Sequence, residues 1–228
     1  MTEAGGTPRV SVAFADLARA AYCPRQLYYA RRSDDRSPPD AVRERQTLAF
    51  AYDDLRGASD ATLRDRPTAL PPPAYRTALD ALEDRDDWAE LTANHERDVR
   101  LDGRDCHGVA HKVLDGDPPV PTLVSPGRPP ESGVWEPQRV RAVATAKALA
   151  WEREREIPRA LVEYPTHATV RTVRLTTGNR AAYRRTLRTV RELDGPPPRV
   201  DDRDRCDACD YADECGVRTR SLRSLLGL

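Results

Sequence analysis

The chain has 228 residues with 37 basic and 37 acidic side chains, and charged residues make up 32% of it against 39% hydrophobic ones. This balance is typical of a soluble globular protein with a highly charged surface, and it excludes collagenous, mucin-like and membrane classes. No apolar run reaches the ~18 residues of a spanning helix. The start MTEAGGTPRV also lacks the basic segment and apolar core of a secretory signal, so we expect a cytoplasmic protein without a membrane partner.

The elements follow from apolar spacing and from proline. Residues 12–32 (VAFADLARAAYCPRQLYYARR) have helical spacing that is interrupted by Cys23-Pro24. Because proline disfavours helical geometry in the residue before it, two short helices are predicted to meet at Cys23. Further helices are predicted over residues 41–55, 75–91, 137–156 and 179–193. Strands are predicted over residues 97–101, 108–114, 120–124, 161–164 and 169–175. This order indicates one α/β domain with a mixed sheet flanked by helices.

The zero net charge hides two unlike halves. Residues 139–228 carry 19 basic and 13 acidic side chains, a net charge of +6, so residues 1–138 carry −6. Apart from Lys112 and Lys147 the basic residues are arginines, whose planar fork suits phosphate, although a GC-rich genome would also enrich arginine. The asymmetry predicts phosphate contacts to DNA, and pairing with neighbouring acids is the alternative. The candidate DNA-binding residues are Arg139, Arg141, Arg180, Arg184 and Arg188.

The cysteines point to a metal centre. Cys206, Cys209 and Cys215 form a C-x2-C-x5-C pattern, and in a cytosolic protein such clusters indicate metal or redox chemistry more often than disulfides. Cys23 is the favoured fourth ligand because Cys-Pro at a helix junction holds the sulfur on a fixed bend. Cys106, between Asp105 and His107, has the pattern of an ordinary buried thiol. Four thiolates fit zinc or an iron–sulfur cluster, and the single C-x2-C knuckle favours iron–sulfur.

Two end segments carry a resemblance to a known family. YCPRQLYY at residues 22–29 and PPPRVDDRDRCDACDYADECGV at residues 196–217 resemble the CRISPR-associated RecB-like exonucleases, the fourth Cas protein family. The middle also matches in order: GVAH at residues 108–111, then residues 121–127, then PPESGVWEPQRVRAVATAKALAWE at residues 129–152. There the family has a Gly-x-x-Asp, a Glu-x-Lys and a Gln-bearing helix. The resemblance covers nearly the whole chain, with specific motifs at its ends and approximate ones in its middle.

The resemblance implies a PD-(D/E)XK restriction-endonuclease-like fold in three parts. Residues 1–95 would form an N-terminal helical region with Cys23, residues 96–195 the RecB-like nuclease core, and residues 196–228 a cluster segment tied to the N-terminal helix. Cys23, Cys206, Cys209 and Cys215 would bind a [4Fe–4S] cluster, with zinc as the alternative. Family members are metal-dependent DNA exonucleases that act in antiviral defence, with DNA and a CRISPR integrase complex as partners in spacer acquisition.

The departures from the family concern its nuclease chemistry. The metal-binding Asp falls on His111, the Glu on Leu123, the Lys on Ser125, and the Gln of the following helix on Arg141. Leu123 cannot bind a hard cation and Ser125 has no fixed charge, so a degenerate nuclease site is predicted. Lys112 is predicted to be a surface residue.

Three hypotheses follow. The first is a non-catalytic iron–sulfur protein that binds DNA or an integrase partner. The second is an active single-stranded DNA exonuclease in which His107, His111 and Asp115 bind Mg or Mn; the alternative for these residues is a polar strand end and a solvated turn. The third is a zinc-stapled interaction module.

Overall fold

The strands form two mixed sheets. The computed structural model describes residues 11–33, 39–93 and 96–216, so residues 217–228 of the predicted cluster segment and residues 1–10 lie outside the described part. The strands are β1 (Val12–Ala13), β2 (Val99–Asp102), β3 (Cys106–Ala110), β4 (Lys112–Leu114), β5 (Val120–Val124), β6 (Arg159–Tyr164) and β7 (Thr169–Arg174). One sheet has the order β1-β3-β2 and the other β4-β5-β6-β7. The pairs β1–β3 and β5–β6 are parallel, and the other neighbours are antiparallel.

His111 joins the two sheets. It lies between β3 and β4, so one stretch of chain supplies a strand to each sheet. Its N–H donates to the Thr122 carbonyl at 3.0 Å, and its carbonyl accepts the Asp98 N–H at 3.2 Å. The hydrogen bonding therefore continues across the junction on both sides.

Helices cover both faces of the sheets. The helices are α1 (Phe14–Tyr22), α2 (Pro24–Ala30), α3 (Asp40–Thr47), α4 (Tyr52–Gly57), α5 (Asp60–Arg64), α6 (Pro72–Glu83), α7 (Trp88–Thr92), α8 (Glu136–Glu152), α9 (Thr177–Arg191) and α10 (Arg203–Asp207). The helix α8 connects the parallel strands β5 and β6, which need such a crossover. It packs against α1 and α9 as well as the sheets, and therefore buries residues over much of its circumference. The mixed α/β fold with flanking helices is as predicted.

Two apolar cores lie on opposite sides of the fold. The first contains side chains of α1, α8 and α9 with those of the strands, including Phe14, Leu123 and Val162. The second contains the side chains of α4 and α6 with Leu114 and Leu161 of the sheet. Both cores use residues from before and after position 95, so the N-terminal helices pack directly on the strands.

Local breaks shorten three predicted helices. Residues 41–55 are divided into α3, a 3-10 turn over Leu48–Phe50 and α4, because Ala51 leaves helical geometry at φ −138° and ψ 19°. Residues 75–91 are divided into α6 and α7 by a turn in which the Arg85 guanidinium donates to both Asp87 carboxylate oxygens at 2.8 and 3.0 Å. The third, α8, ends at Glu152, two residues before Glu154 takes a φ of 50°.

None of the helices within the described residues combines the length and the apolar character that crossing a membrane requires.

Candidate functional site

Four cysteines from the two ends of the chain line one pocket. Cys23 stands between α1 and α2 in extended geometry (φ −160°, ψ 118°), with Pro24 starting the next helix, as predicted. Cys206 lies in α10, and Cys209 and Cys215 lie in the turns that follow it. All four border a small pocket of about 20 Å³ together with the aromatic side chains of Tyr22, Tyr29 and Tyr211. The structure therefore brings together the cysteines that the sequence singled out.

Reciprocal hydrogen bonds hold the walls of this pocket together. The Tyr22 hydroxyl donates to the Arg205 carbonyl at 2.9 Å, and the Arg205 guanidinium donates to the Tyr22 carbonyl at 2.9 Å. Arg25 donates to the Pro197 carbonyl at 2.9 Å, and the rings of Tyr29 and Tyr211 stack with centroids 6.3 Å apart. Partners separated by more than 170 positions thus fix the position of Cys23 relative to the last segment.

The electrostatics of the pocket favour the protonated form of Cys206. Burial first, and then the negative charge of the neighbouring thiolates, raises the pKa of the Cys206 thiol. The side-chain amide of Gln26 donates to the Cys209 sulfur at 3.8 Å. A side-chain hydrogen bond to Tyr29 raises the pKa of Arg25, and the charge of Cys215 adds to that effect. As they stand, no three His, Cys, Asp or Glu side chains among the described residues form a group that could hold a metal ion.

Cys106 is separate from this pocket. It is buried in the first core, accepts a hydrogen bond from the Tyr183 hydroxyl at 3.3 Å and lies 3.5 Å from the Ala144 carbonyl. Burial raises the pKa of the Cys106 thiol to about 11, so the side chain stays protonated and inert. It is a buried structural thiol, as its sequence context predicted.

The three positions of the family's Asp, Glu and Lys border one open cleft. His111 at the sheet junction, Leu123 at the end of β5 and Ser125 just beyond it line a cleft of about 810 Å³. The strand pairing brings them together although 14 residues separate the first from the last. Of the described residues that line this cleft, one is acidic, Asp98.

His111 is a neutral imidazole in this cleft. Its Nδ1 accepts the Val124 N–H at 3.0 Å, so the ring proton is on Nε2, which lies 3.4 Å from the Gln46 amide nitrogen, itself a donor. Burial first, and then the positive charges of Arg141 and Lys112, lowers the pKa of His111 to about 3. The imidazole therefore uses its one acceptor atom on the backbone and presents a donor to its surroundings.

Sequence reasoning overlooked Gln138. Its amide nitrogen donates to the Ser125 hydroxyl at 2.8 Å, and its amide oxygen accepts the Tyr164 hydroxyl at 2.7 Å. The family's glutamine was aligned with Arg141, one turn later on α8, and both side chains line the cleft. The three-residue spacing, which puts two residues on one helix face, was the signal that could have found it.

The other residues of the proposed rebuilt metal site lie elsewhere. The Nδ1 atom of His107 contacts the Ser11 hydroxyl at 3.0 Å, and neither His107 nor Asp115 is among the residues that line the cleft. Asp115 is exposed in the turn between β4 and β5. The structure therefore does not bring His107 and Asp115 to His111.

Lys112 is buried, and the prediction of a surface residue is wrong. Its Nζ lies 3.0 Å from the Glu163 carboxylate, with exposures of 1% and 0%, and donates to the Ala49 carbonyl at 2.6 Å. The other oxygen of Glu163 accepts the Thr122 hydroxyl at 2.7 Å. The pair faces the second core, because consecutive residues of a strand point to opposite faces and His111 points into the cleft. It is a structural ion pair outside the cleft.

Three of the five predicted DNA-binding arginines border a groove along α9. The groove has a volume of about 520 Å³, and its basic residues are Lys147, Arg180, Arg184, Arg188 and Arg191. Arg180 pairs with Glu156 at 3.2 Å, as the alternative interpretation expected. Arg184 and Arg188 are exposed one turn apart, and neither forms an ion pair with another described residue.

The remaining two arginines, Arg139 and Arg141, lie on α8. Each has a buried Nε atom without a hydrogen-bond partner among the described residues. Arg141 borders the cleft, and burial lowers its pKa. These two are therefore not part of the exposed groove.

Comparisons with protein-family models and with curated protein sequences give no match. Among solved structures, the crystal structure of SSO0001 is similar at 11% sequence identity and a TM-score of 0.45, over 95% of this chain and 91% of that chain. A likeness of this extent carries no assignment of function. The fold and the site define a mixed α/β protein with a four-cysteine pocket and an arginine-lined cleft.

Proposed function

We propose that this chain is an iron–sulfur protein of the CRISPR-associated RecB-like type, with a PD-(D/E)XK-like core, that binds DNA without cutting it. The observation that supports the proposal most is that Cys23 shares one pocket with Cys206, Cys209 and Cys215. The sequence resemblance implies the same four positions as ligands.

The residue types that border the pocket are those that a cluster uses. Four cysteines border it, while acidic side chains do not, and thiolates are the ligands that iron–sulfur clusters use. A bound cluster would supply a cross-link between the two ends of the chain, with the four cysteines as its ligands. Gln26 would supply a hydrogen-bond donor to the Cys209 sulfur, which its amide already contacts. Arg25 would supply a positive charge near the Cys215 sulfur.

The absence of catalysis is inferred from the cleft. Divalent cations in nucleases are held by carboxylates, and the corresponding positions here hold an imidazole, an isobutyl group and a hydroxyl. The imidazole of His111 already uses its acceptor nitrogen on the Val124 N–H. Among the described residues that line the cleft, Asp98 is the one carboxylate left for Mg or Mn.

DNA binding is inferred from the groove along α9. Arg184 and Arg188 are exposed one turn apart in it, where each can contact a phosphate without reading a base. An integrase complex as partner belongs to the same proposal and rests on the family resemblance alone.

Anaerobic purification tests the metal centre. We expect a brown protein with iron and acid-labile sulfide in near-equal amounts, and we expect Cys209→Ala to lose both. Cys106→Ala is the matched control and should retain them, because Cys106 lies outside the pocket. Colourless protein with stoichiometric zinc would instead establish the zinc-stapled module.

Labelled single-stranded DNA tests the absence of catalysis. We expect no shortening with Mg or Mn. Metal-dependent shortening that His111→Ala abolishes would contradict the proposal and establish the rearranged exonuclease.

A mobility-shift assay over a range of salt concentrations tests the groove. Arg184→Gln with Arg188→Gln should weaken binding at every sequence tried. It should also lower the slope of log K against log salt by about 0.7 for each lost single-strand contact. Arg104→Gln, an exposed arginine outside the groove, is the control. Unchanged binding in the double variant would count against the groove.

A further inference from the structure

The cleft beside His111 is lined by groups that attract anions. Its charged or chargeable side chains are those of Arg43, Arg97, Arg141, His111 and Asp98. Three of the five are permanent cations, and one is an acid. Arg97 also lies over the Phe50 ring at 4.2 Å, so its guanidinium is held at the rim. A cleft with this lining repels a divalent cation and favours an oxyanion.

Arg141 is the centre of this arrangement. Its Nε is buried and has no hydrogen-bond partner among the described residues. Burial lowers the pKa of Arg141, and no ion pair joins its guanidinium to an acid among the described residues. The residue as a whole is half-buried, and a partly desolvated charge without a counterion is costly. The guanidinium therefore has an unmet requirement for an anion.

Neighbouring groups add neutral donors. Ser125 accepts the Gln138 amide, so its hydroxyl proton is available to another acceptor. The Tyr164 hydroxyl fixes the orientation of that amide by donating to its oxygen. The Nε2 proton of His111 supplies a further donor, because Nδ1 is already an acceptor. A planar guanidinium, a hydroxyl and an imidazole N–H can together donate hydrogen bonds to the oxygens of a phosphate group.

We propose that this cleft binds a phosphate group directly, without a divalent metal ion, with Arg141 as its charged partner and Ser125 and His111 as donors. The inference rests on the proposed DNA binding for the source of the phosphate, a DNA strand. The positions that would hold metal in a nuclease would then hold the phosphate itself.

Titration of the full chain with inorganic phosphate in EDTA tests the binding. We expect saturable binding by calorimetry and a rise in melting temperature with phosphate. Arg141→Gln should lower the affinity about 10- to 100-fold, the range expected for hydrogen bonds to a charged group. Arg104→Gln removes the same charge from an exposed position and should bind phosphate as the native chain does. Binding that requires Mg, or equal affinity in Arg141→Gln, would overturn the proposal.

The stability of the variants gives a second measurement. Without phosphate, Arg141→Gln should melt no lower than the native chain, because it removes an uncompensated charge, and with phosphate the order should reverse. Ser125→Ala changes one hydroxyl at the cleft wall and keeps the test valid if Arg141→Gln does not fold. We expect several-fold weaker phosphate binding from it, and unchanged binding would contradict the assigned donor.

Oligonucleotides identify the source of the phosphate. A 5′-phosphorylated strand should compete with inorganic phosphate for the cleft better than its 5′-hydroxyl counterpart, in the native chain but not in Arg141→Gln. Equal competition by both strands would refute the strand end as ligand. Unchanged DNA binding in the α9 double variant, with phosphate binding retained, would refute the proposed groove and leave the cleft site standing.

Discussion

The buried imidazole of His111 makes a specific prediction about stability and pH. Its pKa is about 3 in the folded chain against an ordinary 6.5, because burial and two nearby cations disfavour the charged form. Below pH 6.5 the unfolded chain binds a proton at this residue that the folded chain does not bind. The stabilisation is therefore complete above pH 6.5 and is lost as the pH falls toward 3. Between pH 8 and pH 5 this one group should lower the free energy of unfolding by about 2 kcal/mol.

The variant His111→Asn tests this reasoning. An asparagine side-chain oxygen can accept the Val124 N–H that Nδ1 accepts now, but it does not titrate. Urea unfolding followed by circular dichroism at pH 8, 6.5 and 5 gives the free energy for both chains. Over this range the free energy of unfolding of the variant should fall by about 2 kcal/mol less than that of the native chain. The difference between the two chains at pH 8 measures the effects of the substitution that do not depend on titration. Parallel pH profiles would refute a neutral, buried His111.

Two further substitutions test the packing that supports the cleft. Lys112→Met leaves the Glu163 carboxylate buried without its cation and should lower the free energy of unfolding by about 3–5 kcal/mol, measured by urea unfolding. Adding Glu163→Leu should recover most of that loss, and a double variant as unstable as the single one would contradict the pairing. Gly108→Ala places a Cβ 2.7 Å from Phe14 Cγ and should cost about 1–3 kcal/mol in the same assay. Gly57→Ala, where the added Cβ meets nothing within 4 Å, should cost far less, and equal losses would exclude the clash as the cause.

The features that the sequence predicted correctly depend on residues close together in the chain. The bend at Cys23 follows from the proline after it, and the structure has the two helices meeting there. The strand over residues 120–124 follows from its apolar run between turn residues, and it is β5. Each of these depends on neighbours within a few positions of the chain.

The features that were missed depend on register between distant segments. The pair of Lys112 and Glu163 joins residues 51 positions apart, and their proximity requires the order β4-β5-β6. Nothing in the composition fixes that order. The resemblance places the family's glutamine at Arg141. The helix presents Gln138 to the same cleft three residues earlier, and the sequence comparison did not consider that position. The prediction for Lys112 thus failed because its burial depends on pairing between strands that are distant in the sequence.

The pocket of the four cysteines has a consequence for how the protein is made. Cys23 leaves the ribosome long before Cys215 does. The pocket wall is therefore complete only after Cys215 has been translated. A product that terminates before Cys215 has no complete pocket, and any inorganic group seated there would mark synthesis past that residue.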